Sequence, residues 1–115
     1  MERLTTQRAV GIMNNMKAVE LVRTRVVYSR SSFAELVLWQ LPSPLQGSSH
    51  PFKYRLAYVG QGECVLRYDN ESGKGDHRHR HWRGRERPYR FTSPEQLIAD
   101  FERDILRWND ENSNS

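Results

Sequence analysis

The stretch KYRLAYVGQGECVLRYD, residues 53–69, decides how this chain folds. On either side of Gly60-Gln61-Gly62 apolar and polar residues alternate, the period of a strand with one buried face. A three-residue loop, with glycine where positive φ is needed, joins the two runs as a hairpin. With Val59 set opposite Glu63, Tyr58 faces Cys64, Leu56 faces Leu66 and Tyr54 faces Tyr68, all on one apolar side. The other side pairs Ala57 with Val65, Arg55 with Arg67 and Lys53 with Asp69. A slip of one residue would mix the two sides, so their segregation selects this register. It also sets two arginines directly opposite each other, which repel unless a carboxylate or an anionic ligand lies between them.

Working outward, AVELVRTRVVY (18–28) and FAELVLWQL (33–41) read as two earlier strands around the turn SRSS. The prolines at 42 and 44, followed by Gln-Gly-Ser-Ser-His-Pro, mark a loop that no central strand could contain. After the hairpin come a glycine-rich loop, the run DHRHRH and a short strand near Tyr89-Arg90-Phe91. Ser93 then caps a helix with Pro94 at its first position and Gln96 completing a capping box. Leu97, Phe101, Ile105 and Trp108 fall on one face of that helix. The expected fold is α+β, an antiparallel sheet of about four to five strands packed against the C-terminal helix. Residues 1–16 are an extension, helical or disordered; 17–108 form a single domain; 109–115 are a polar disordered tail.

At 115 residues the chain holds one domain. No apolar run is long enough to span a bilayer and no signal-peptide pattern opens the chain, so a cytoplasmic protein without membrane contact is expected. Cys64 is alone, which excludes an internal disulfide framework, and its flanks make it a small core thiol. The net charge is +4, yet from Ser72 to Arg90 seven cations face two anions, so this segment exceeds the balance of the whole chain. Such a basic stripe favours a polyanion.

Inside the stripe, GKGDHRHRH (73–81) concentrates three of the four histidines. If 76–81 is extended, His77, His79 and His81 share one face and Arg78 and Arg80 the other. Two chemistries suit these residues. In the first, His77 and His79 act as general acid and base on RNA, Arg67 and Arg55 stabilise the phosphate, and Asp69 orients a histidine or an arginine. In the second, Asp69, Asp76, His77 and His79 ligate a divalent metal that activates water. The surrounding arginines repel a cation, which favours the metal-free version, with no cofactor. Lys53, Arg55, Lys74, Arg78, Arg80 and Arg83 are the candidate phosphate contacts. A non-catalytic nucleic-acid-binding module, or a nucleotide-transferring enzyme that modifies RNA and uses the Gly-Lys-Gly turn, are the alternatives. His50 receives no role.

KYRLAYV, VLRYDNESGKGDHRH, PYRF and SPEQLIADFERDI resemble the TumE family of small toxin–antitoxin proteins. The resemblance covers about residues 17–108, and RYDN…GKGDHRH is its most specific part. Its core positions match at Arg67, Asp69, Asn70, Asp76, His77 and His79, with Tyr54 and Arg55 in the strand before. The resemblance implies the toxin of a type II pair, partnered by a helix-turn-helix antitoxin. An RNA substrate and endoribonuclease action are what the residues add, and a homodimer is left open. HWRGRER is richer in arginine than the family pattern, and the first fifteen residues have no counterpart in it.

Overall fold

The computed structural model describes residues 17–71, 73, 75–81 and 86–112. Within these residues six strands form one antiparallel sheet in chain order: β1 (Val19–Ser29), β2 (Ser32–Gln40), β3 (Phe52–Gly60), β4 (Glu63–Asp69), β5 (His77–Arg80) and β6 (Arg87–Pro88). A single helix among the described residues, α1 (Pro94–Asn112), follows. Each strand pairs with its sequence neighbour, so the sheet is a meander. The DHRHRH run supplies the strand beyond the expected count.

The central hairpin closes differently from the expected three-residue loop. Gly60 faces Glu63, and the loop is Gln61 and Gly62, at φ 56° and 81°. Two successive left-handed residues are what a two-residue type I′ connection requires. That loop alone would set Tyr58 against Val65 and Leu56 against Arg67, mixing the faces. A bulge restores them: Val59 pairs with Cys64 but Tyr58 with Leu66, leaving Val65 as the extra residue. The expected register is therefore off by two, with Arg55 facing Asp69 and Arg67 facing Ala57. An even shift preserves the sides, so Arg55 and Arg67 still share a face, diagonal to each other rather than opposite. Cys64 lies on the turn side of the bulge and is exposed, a correction to its expected place in the core.

One face of the sheet carries Ala34, Leu36 and Leu38 from β2, Tyr54, Leu56 and Tyr58 from β3, and Leu66 and Tyr68 from β4, all buried. Leu97, Phe101, Ile105 and Trp108 of α1 complete this core. Each leucine, isoleucine or phenylalanine among them contributes about 1.5–3 kcal/mol on burial. The Ser93 Oγ accepts from the Gln96 N–H at 3.0 Å, as expected of a cap. The Gln96 side chain turns forward to Asp100 instead of closing the box.

Two boundaries move. The last strand is Arg87–Pro88, not Tyr89–Phe91: proline is tolerated at a sheet edge, and Tyr89 instead turns into the core beside Tyr68. The helix runs on through Asn112, past the expected end at Trp108, because Asn109 accepts from the Tyr58 hydroxyl at 2.5 Å. Residues 1–16 lie outside the described residues.

Candidate active site

Among the described residues no helix covers the face opposite α1, and the strand register lays its side chains out in two rows. One runs Arg23, Val37, Arg55, Asp69, His77 from β1 to β5. The next runs Arg25, Glu35, Ala57, Arg67, His79. His77 and His79 thus share the face that Arg55, Arg67 and Asp69 occupy, while Arg78 and Arg80 point to the helix side. The period-2 geometry of the strands produces this division directly.

Asp69 is the hub of the β4–β5 end. Its Oδ1 lies 2.8 Å from His77 Nε2, and its Oδ2 lies 3.1 Å from Arg67 Nε. It orients both a histidine and an arginine. His77, 5% exposed, places Nδ1 2.9 Å from the Gly75 carbonyl and Nε2 also 3.2 Å from Glu86. Both ring nitrogens therefore face acceptors, an environment that the doubly protonated ring satisfies. His79 stands directly opposite Arg67, where side chains begin about 5 Å apart. It makes no hydrogen bond or ion pair among the described residues. Arg67 Nε is buried without a hydrogen bond, since its contact to Asp69 has ion-pair distance but poor alignment. The rest of the guanidinium is partly exposed, and its Nη2 lies 3.9 Å from Glu86, so an anion would meet the Nη side of the group rather than Nε. Arg55 and Lys53, on the same face, form no ion pair among the described residues.

The remaining candidates are placed elsewhere. Arg78 and Arg80, expected as phosphate contacts, reach the carboxylate of Asp104 at 3.5 and 3.2 Å under the helix. Arg78 also lies over the rings of Tyr68 and Tyr89, at 5.5 and 5.8 Å. Asp104 is fully buried and accepts the Tyr68 hydroxyl at 2.5 Å as well. These arginines compensate a buried negative charge, which is why the sheet turns them inward. Lys74 and Arg83 lie outside the described residues.

Asp76, a member of the metal alternative, points away from His77 and His79. It accepts from the Tyr54 hydroxyl at 2.5 Å and from His50 Nε2 at 2.9 Å. His50 Nδ1 accepts the Phe52 N–H, so Nε2 carries the ring proton. The ring stacks on Phe91 with centroids 3.8 Å apart. Burial, then the bond to Asp76, push the Tyr54 hydroxyl well above the ordinary tyrosine range. The group ties the loop before β3 to the turn before β5, and Gly47 reinforces it: a Cβ there would meet the Gly73 carbonyl at 2.9 Å. Among the described residues no group of three or more His, Cys, Asp or Glu side chains has the spacing to hold a metal ion. Asn70 is buried, accepting the Tyr54 N–H and donating to the Phe52 carbonyl, so it extends the ladder past the end of β4.

Sequence reasoning missed Glu86, His50 and Asp104. Glu86 was visible only as a carboxylate inside an arginine run. Asp100 and Asp104 had a stronger signal, since they fall on the buried stripe of α1 three and seven residues after Leu97 and require partners there.

A family model described as "Toxin TumE" matches residues 9–109, most of the chain and eight residues further upstream than the sequence reading reached. The chain belongs to this family of toxins from toxin–antitoxin systems, and an antitoxin is the partner that membership implies. Searches of curated proteins and of solved structures gave no match. No described helix is long and apolar enough to cross a membrane.

Proposed function

We propose that this TumE-family toxin inhibits growth by cutting RNA without a metal, using the histidines of β5. The observation that carries the reading is the square of His77, Asp69, Arg67 and His79, in which a histidine without hydrogen bonds among the described residues faces an arginine beside a carboxylate-held imidazole. The scissile phosphate sits against Arg67 and Arg55, whose guanidinium groups balance the charge that grows on its oxygens. His79 takes the 2′-hydroxyl proton; the 2′-oxygen attacks phosphorus and the bond to the 5′-oxygen breaks. His77, protonated, has its Nε2–H shared between Asp69 at 2.8 Å and Glu86 at 3.2 Å, and it passes that proton to the 5′-oxygen as the oxygen takes the place of Glu86. Glu86, the more distant and more exposed of the two carboxylates at Nε2, gives way to the phosphate as it arrives. A helix-turn-helix antitoxin neutralises the toxin by covering this face, and the reaction belongs to the cytoplasm, where the RNA is. A homodimer is compatible with this reading, since every group it uses comes from one chain.

Incubation of the purified toxin with end-labelled RNA in excess chelator is the direct test. Cleavage products ending in a 2′,3′-cyclic phosphate are expected, formed about 10²- to 10⁴-fold more slowly with His79→Ala. RNA that stays intact at all concentrations, or cleavage that needs a divalent ion, overturns the reading. RNA bound but uncut would reduce the protein to a nucleic-acid-binding module.

A further inference from the structure

Away from the histidines, the open sheet face holds a cavity of about 450 Å³ between β1, β2 and β3. Val37 and Ala57 form its floor, and Arg23, Arg25 and Arg55 stand around it. The floor is low because two small side chains face each other diagonally across β2 and β3, between longer arginines. Arg55 belongs both to this cavity and to the row that ends at His77. The cavity and the histidine site are therefore neighbours on one surface, joined by a shared cation.

Two of the three arginines are held only weakly by their partners. Arg23 pairs with Glu20 at 2.7 Å and Arg25 with Glu35 at 2.5 Å. Both pairs are open to solvent, with Arg side chains 58% and 57% exposed, and such pairs contribute about 0–1 kcal/mol. A phosphate can displace the glutamates at small cost. Arg55 needs no displacement, since it has no ion pair among the described residues. Arg25 also lies over the Phe33 ring at 4.3 Å, so a flat basic and aromatic surface borders the cavity. That combination suits an unpaired strand whose phosphates are neutralised and whose bases stack.

From these observations we infer that the cavity lined by Arg23, Arg25 and Arg55 is a second phosphate subsite, and that a single-stranded polynucleotide crosses the sheet from β5 to β1. The inference rests on the cleavage reading for the identity of the polymer as RNA. Strands lie about 4.8 Å apart, so the path from β5 to β1 is roughly 19 Å, which takes several nucleotides. A dinucleotide fills the histidine site but leaves the cavity empty; a longer strand fills both.

Fluorescence anisotropy on full-length His79→Ala protein, which binds and cuts only slowly, tests this with uridine oligoribonucleotides of two and eight nucleotides. The octamer binds more tightly than the dimer on the unaltered face. Adding Arg23→Ala and Arg25→Ala removes that gain and leaves dimer affinity unchanged. The slope of log affinity against log salt becomes shallower by about 1.4, since each phosphate contact on a single strand carries about 0.7. Glu20→Gln with Glu35→Gln acts oppositely and tightens octamer binding, a readout that loss of folding cannot imitate. An octamer advantage that persists without the two arginines overturns the inference, as does competition by polyglutamate as effective as that of RNA. Binding of neither oligonucleotide overturns it together with the cleavage reading. If unaltered toxin leaves RNA intact while the length dependence still vanishes with Arg23 and Arg25, the cleavage reading fails and this subsite stands.

Discussion

His77 and His79 sit two residues apart on one strand, yet their surroundings differ so much that their substitutions should be separable. His79 has no hydrogen-bond partner among the described residues, so His79→Ala is expected to lower cleavage by about 10²- to 10⁴-fold while the melting temperature stays unchanged. His77→Ala removes a buried ring between Asp69, Glu86 and the Gly75 carbonyl. It should abolish cleavage and also cost about 1–3 kcal/mol, because the carboxylate it leaves is buried beside Arg67 with one fewer donor. Cleavage rates read beside thermal melts check both, and equal losses of stability would contradict the assignment. On the helix side Asp104 is the decisive residue. Asp104→Asn keeps the shape but takes the charge from between Arg78, Arg80 and Tyr68. A loss of about 3 kcal/mol in denaturant unfolding is expected. Unchanged stability would mean that the two arginines are solvated rather than paired.

At the scale of elements, the hairpin between β3 and β4 carries two devices that can be tested separately. Gln61 holds φ at 56°, a region that costs a residue with a Cβ about 1–2 kcal/mol. Gln61→Asn, suited to the left-handed region and to the first position of a type I′ loop, should stabilise by about 0.5–1 kcal/mol. A rise in melting temperature checks it, and a fall would mean that the side chain of Gln61 has a role beyond the turn. Next to the loop, Gly60 underlies the end of α1. A Cβ at this position would lie 2.8 Å from the Trp108 ring. Gly60→Ala should therefore cost about 1–3 kcal/mol as the indole is pushed off β3. The loss should be accompanied by a shift in tryptophan fluorescence, and preserved fluorescence with full stability would show that the helix end can move.

For the whole molecule, burial of hydroxyls against carboxylates sets how stability responds to pH. Tyr54, Tyr68 and Tyr89 are raised above the ordinary tyrosine range, first by burial and then by hydrogen bonds to Asp76, Asp104 and Asp100. The unfolded chain releases these protons near pH 10, whereas the folded chain holds them to higher pH. Their stabilisation is fully present below about pH 10 and is lost as pH rises beyond it. Asp100 has the opposite sign. Burial alone would raise it, but bonds from Tyr89 and Gln96 and the nearby Arg103 hold it below the ordinary carboxylate range. Its contribution is present above about pH 4 and is lost as pH falls through the folded value. Urea midpoints measured between pH 3 and 11 should fall at both ends. A flat alkaline limb would show that the three hydroxyls ionise freely in the folded state.

Alternation in 53–69, the capped helix and its apolar stripe are local properties, so the sequence by itself determined an antiparallel meander under one helix. It also determined that Arg55 and Arg67 share one face, and His77 and His79 one face, because period-2 geometry survives any even shift of register; that the two pairs lie on the same face was decided by the β4–β5 ladder. It did not determine the register itself. A two-residue loop plus a bulge at Val65 gives the same side assignment as the expected three-residue loop, and only the ladder distinguishes them. Nor could it foresee that Arg78 and Arg80 would turn to Asp104, 26 and 24 residues away in sequence, or that Asp76 would be taken up by His50 and Tyr54. Those partnerships depend on which carboxylates the packed helix and loops bury, and a buried charge recruits whichever cation or donor the tertiary fold brings within reach.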